Sequence, residues 1–235
     1  MVNESPVMSF VFSFLALVIF STFIIQRLVQ ERESRNKQLQ EVMGLHLWLD
    51  HLVWLLSSVL LLLIIVVLAA LVLSLGGLQP RADLGVLIAF LLCYGLSVVS
   101  FCYLVASLVP TTVLAVFTGV MGLLVFNIPF VSISVIQASV PLTVLLLTCL
   151  FPSSAFGFGF RIICQYELLE EGASHANMWT PPTKGSEMTL GLAIVMLLVD
   201  AALFLLISLA ASHLRQGRHL TPSCKPNPPR NLILG

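Results

Sequence analysis

Long apolar runs alternate with short polar ones along the chain. The apolar stretches occupy residues 7–26, 52–75, 84–109, 113–136, 140–160 and 188–212, and among all the charged residues only Asp200 falls inside one. Each holds about 20 residues or more, and at a rise of ~1.5 Å per residue a helix of that length crosses a hydrocarbon core of about 30 Å. Within lipid the backbone must satisfy its own hydrogen bonds, so the stretches predict helices. Glu4 precedes the first run, no basic residue does, and no small-residue cleavage site follows, so it reads as a retained helix.

Charge placement then sets the topology. The linker 27–51 carries Arg27, Arg32, Arg35 and Lys37, and the tail 213–235 carries Arg215, Arg218, Lys225 and Arg230. Both are expected on the cytoplasmic side. Keeping them together requires an even number of crossings between them, yet five apolar stretches lie there. The stretch 140–160, interrupted by Pro141, Pro152, Gly157 and Gly159, is expected to turn back as a re-entrant hairpin. The N-terminus and the loop 161–187 then lie outside. The expected fold class is an all-α polytopic membrane protein with about five transmembrane helices and one re-entrant helical hairpin. Residues 1–212 form the membrane domain and 213–235 a disordered cytoplasmic tail.

Composition agrees with that picture and removes several functions. The chain is 58% hydrophobic and 9% charged, with a mean hydropathy of +1.04, whereas a soluble domain carries about 25% charged residues to hydrate its surface. The 11 basic and 11 acidic residues cancel and form no basic stripe, so nucleic acid is not an expected partner; membrane lipids are. The five cysteines form neither a CxxC pair nor a disulfide framework. No metal site is expected, since His46 and Asp50 at i,i+4 supply only two ligands. No catalytic or cofactor-binding residue is identified, and an enzyme is not expected.

Three features carry chemistry. In Glu31–Leu45, Glu31 precedes Arg35 and Glu33 precedes Lys37 at i,i+4, the favourable helical order, worth about 0.2–0.5 kcal/mol per pair. Leu39, Val42, Met43 and His46 add an apolar stripe, as in an interfacial or partner-docking helix, although a solvated linker has a similar pattern. Asp200 sits deep in an apolar run, where a charge costs about 2.5–3.5 kcal/mol, so either a functional role or a polar contact with a neighbouring helix is expected. Ala115 and Gly119 form a small-xxx-small pair that permits close helix approach.

The segment 31–45 resembles a stretch in the first membrane domain of A-subfamily ABC transporters, with Glu31, Glu33, Arg35, Lys37, Met43, Gly44 and Leu45 at matching positions. Trp48, Leu49, Trp54, Ala89–Cys93, Ser100, Phe101, Ile128, Pro129, an Ala155-Phe156-x-x-Gly159 run, Glu167, Gly172 and Trp179 extend the likeness over about residues 7–205. The resemblance implies that 31–45 couples an ATPase domain to the membrane helices and that 140–160 inserts from outside. Gln38 and Gln40 depart from the family pattern, as does the chain after about Leu209.

The phosphate-binding pattern G-x-x-x-x-G-K-[ST] is absent from these 235 residues. The expected function is therefore that of a partial membrane domain of an ABC lipid transporter, truncated before the nucleotide-binding domain. ATP would act only through a missing domain, a partner ATPase or another transporter half. The alternative is a non-transporting structural or regulatory protein that associates with full-length transporters through the Ala115–Gly119 face.

Overall fold

The structure is a computed structural model that describes residues 5–33, 47–77, 79–136, 141–182 and 188–219. Seven helices and no strand occur among the described residues. They are α1 (Ser5–Glu33), α2 (Leu47–Leu75), α3 (Leu84–Leu108), α4 (Thr112–Ile136), α5 (Leu142–Thr148), α6 (Pro152–Leu168) and α7 (Leu190–His219). Among the described residues, five segments are long and apolar enough to cross a membrane: Phe10–Gln30, Val53–Leu75, Leu84–Leu108, Thr112–Ser134 and Leu190–Ala211.

Three serines inside these spans bond to their own helix, which lowers the cost of burying a hydroxyl in lipid. Ser58 Oγ donates to Trp54 O at 2.8 Å, Ser100 Oγ to Leu96 O at 3.0 Å and Ser132 Oγ to Ile128 O at 2.9 Å. α3 is the central helix. It touches α1, α2, α4, α6 and α7, most extensively α7, and Phe90, Leu91, Tyr94, Val98 and Cys102 on it are almost fully buried. α2 and α4 instead turn large apolar side chains outward, among them Leu56, Leu60 and Leu68 on α2 and Val113, Phe117 and Ile128 on α4. Such faces suit acyl chains, which are as apolar as leucine.

The interrupted stretch folds as the breakers dictate. α5 begins directly after Pro141, and Pro152 occupies the first turn of α6, where its missing N–H costs nothing. With seven residues α5 extends only ~10 Å, too short for a crossing. α6 then returns to the end of the bundle that holds the α2–α3 loop, where the Arg81 N–H donates to Glu167 Oε1 at 3.1 Å and the Asp83 N–H to Ala173 O at 2.8 Å.

Two boundaries differ from expectation. Residues 161–168, expected to open a loop, continue α6, because Ile162, Ile163 and Tyr166 face inward while Arg161 and Leu168 face outward. The linker 27–51 is helical at both described ends, since α1 runs to Glu33 and α2 starts at Leu47.

The Ala115–Gly119 face is not free for another chain. Ala115 is fully buried, and a Cβ at Gly119 would lie 2.2 Å from Ile25 Cδ1. The small pair admits α1 of the same chain, which corrects the expectation that it docks onto a full-length transporter.

Candidate functional site

Asp200 and the re-entrant hairpin meet in the bundle interior, and aromatic packing fixes the hairpin's position. Phe156 on α6 stacks on Phe10 of α1, on Phe90 and Tyr94 of α3, and on Phe160 one turn ahead, with centroids 4.1–5.6 Å apart. Offset aromatic pairs of this kind add about 0.5–1.5 kcal/mol each beyond their burial. The neighbouring glycines let the backbone in: a Cβ at Gly157 would meet Phe130, and one at Gly159 would meet Phe90 and Ala193. Ser154 Oγ donates to Phe126 O at 2.6 Å. That carbonyl lies three residues before Pro129, whose ring interrupts the α4 ladder.

Asp200 lies at the depth of the hairpin turn. It is 1% exposed on α7, between Ala193, which packs beside Gly159, and Phe204, whose ring meets Phe101 and Phe126. Phe126 in turn packs on Phe151, and Cys149 at the turn is fully buried. Neither carboxyl oxygen of Asp200 has a hydrogen-bond partner among the described residues. A buried acid without a partner opposes folding rather than supporting it. The polar-contact reading of Asp200 therefore finds no contact here.

At the α2–α3 end, Tyr166 organises a cap over residues 169–182. Its hydroxyl donates to Asn177 O at 3.0 Å and also approaches the Thr180 carbonyl. Asn177 Nδ2 donates to Gly172 O, and the Ser174 N–H to Asn177 Oδ1, both at 2.8 Å. Gly172 adopts φ 69° against Arg81, with the Arg81 carbonyl 2.2 Å from any Cβ placed there, so only glycine fits. Gln79, almost fully buried, donates through Nε2 to Cys164 Sγ at 3.6 Å. Burial pushes the Cys164 thiol up to about 12, against the opposing effect of that bond. Sequence reasoning missed this cap, since it relies on backbone carbonyls; Gly172 and Asn177 were the available signals.

Of the coupling residues, Glu31 and Glu33 fall on the last turn of α1. Arg35, Lys37, Met43, Gly44 and Leu45, with His46, lie outside the described residues. At the same end of α1, Arg27 stands over the Phe23 ring, 5.1 Å from its centroid. No group of three or more metal-ligating side chains occurs among the described residues.

The profile of the family described as ABC-2 family transporter protein matches residues 5–210. The chain is similar to glucosylceramide transporter ABCA12 of Homo sapiens, 24% identical over 193 residues that cover 82% of this chain and 7% of that protein. It is 27% identical to phospholipid-transporting ATPase ABCA7 of Homo sapiens over 231 residues, covering 92% of this chain and 11% of that one. ATP-binding cassette sub-family A member 2 of Homo sapiens is 24% identical over 184 residues, covering 77% and 8%. The chain thus spans only 7–11% of the length of these relatives.

Proposed function

The chain belongs to the ABC-2 family of transporter proteins, and from that premise we propose that it forms part of the membrane wall along which a lipid moves, driven by an ATPase domain outside these 235 residues. The observation that carries this reading is the family match over residues 5–210, which takes in the hairpin and all five spans but for Ala211 at the end of the last. The relatives named as a glucosylceramide transporter and a phospholipid-transporting ATPase support a lipid as the substrate class. The outward apolar faces of α2 and α4 give an acyl chain a surface at no desolvation cost.

In this reading Glu31, Glu33, Arg35, Lys37, Met43, Gly44 and Leu45 receive the ATPase domain on the cytoplasmic side, at the foot of α1. Movement there reaches the hairpin directly, because Phe10 near the other end of α1 packs on Phe156. The N-terminus, the α2–α3 loop and the cap lie outside, and residues 213–235 lie in the cytoplasm.

Co-expression with a nucleotide-binding subunit, followed by reconstitution into vesicles, tests the reading. ATP-dependent movement of a fluorescent phospholipid is expected, and Arg35→Glu combined with Lys37→Glu should abolish it. No ATP-dependent movement with any nucleotide-binding subunit that co-purifies contradicts it.

A further inference from the structure

α6 carries one basic residue, Arg161, that has no counter-ion among the described residues. Along its outward stripe run Arg161, Cys164, Gln165 and Leu168; Arg161 and Leu168 are exposed and the middle two half-buried. Over the two preceding turns the same helix is covered by α4, through Ser154 on Phe126 O, Gly157 on Phe130, and Phe158 edge-on to Phe130 at 5.2 Å. Arg161 is therefore the first residue of α6 to emerge from the bundle.

Its depth follows from the neighbouring helix. Gly159 packs against Ala193, three residues into the apolar span Leu190–Ala211, and the two helices run in opposite directions. Two residues further along α6, Arg161 stands level with about Gly191, at the end of that span. The Trp179 ring, 61% exposed, lies over Gly191 at the same level, where amphipathic aromatic rings gather at the boundary between headgroups and acyl chains. Arg161 is thus a cation at headgroup depth.

The acids nearest along the chain are engaged elsewhere. Glu167 accepts from the Arg81 N–H, and Glu170 pairs with the Arg81 guanidinium at 3.5 Å. Among the described residues no carboxylate lies within ion-pair distance of Arg161. A guanidinium presents paired N–H donors that match two oxygens of a phosphate, and its stem packs on apolar surface while its head stays polar.

We propose that the outward flank of α6 at Arg161 is a phospholipid-binding site in which Arg161 holds the headgroup phosphodiester. The site does not depend on whether the chain moves lipid. The full chain, purified in detergent, is titrated with dioleoyl phosphatidylglycerol and separately with dioleoylglycerol, which keeps the tails and lacks the phosphate, with bound lipid counted by native mass spectrometry. R161Q should weaken phosphatidylglycerol binding about tenfold, as the loss of one charge-assisted contact implies. It should leave dioleoylglycerol binding and the melting temperature unchanged, and R161K should retain most of the affinity. Equal phosphatidylglycerol binding by R161Q, or an equal loss for both lipids, overturns the proposal. Displacement of the lipid by millimolar inorganic phosphate overturns it in favour of a free-anion site.

Discussion

Tyr94 and Phe156 stack with centroids 4.1 Å apart and planes inclined by 15°. The pair joins the central span to the hairpin, and both side chains are fully buried. Phe156→Ala removes the ring that also meets Phe10, Phe90 and Phe160 and should destabilise the fold by about 3–5 kcal/mol. A lowered denaturation midpoint in detergent, with Cys149 at the hairpin turn becoming open to thiol reagents, checks it.

Gly119 is where α4 meets Ile25 of α1. Gly119→Leu should cost about 1–3 kcal/mol through overpacking, within a single chain. Thermal unfolding of the monomer measures this. An unchanged monomer that has lost self-association instead would return the Ala115–Gly119 face to an intermolecular role.

Gly172 holds the cap against Arg81 at positive φ. Gly172→Ala should loosen the cap at a cost of about 1–3 kcal/mol. Faster proteolysis between residues 169 and 182, with the spans intact, is the expected signature.

Asp200 makes no hydrogen bond among the described residues, so replacing it should not weaken folding. Asp200→Leu is expected to keep or raise the melting temperature, since apolar replacement of a buried unpartnered charge is neutral or stabilising. A clear drop would reveal a partner that holds the carboxyl. If lipid movement is lost while stability is kept, Asp200 is functional.

Cys164 lies beyond the five spans, and burial foremost raises its thiol to about 12. Because the thiolate is the reactive form, alkylation should be slow at pH 8 and rise about tenfold per pH unit up to that value. An ordinary exposed thiol levels off near pH 9. Maleimide is unsuitable at high pH, so iodoacetamide labelling followed by mass spectrometry is the measurement; a plateau near pH 9 contradicts the burial.

The architecture was largely legible because lipid imposes a coarse rule: charges stay out of the spans and breakers mark the turn. Pro141 and Pro152 each stand at the start of a helix within 140–160, as their chemistry allows. The end of α6 was misread because Arg161, Gln165 and Glu167 look like a loop unless Ile162, Ile163 and Tyr166 are seen to share the opposite face. A small-residue pair signals close approach but not its partner, which is why Ala115 and Gly119 pointed outward in sequence and inward in the fold. Asp200 was legible as an intramembrane acid; that its oxygens lack a partner follows only from three-dimensional packing.

The hairpin that turns back, together with five crossings, is tested most directly by thiol labelling. Ser174→Cys in the cap and the native Cys224 in the tail are each kept as the sole cysteine and exposed to a membrane-impermeant maleimide. In intact cells the cap cysteine should react at once, and Cys224 only after permeabilisation. Protection at residue 174 with ready labelling of Cys224 would contradict the arrangement.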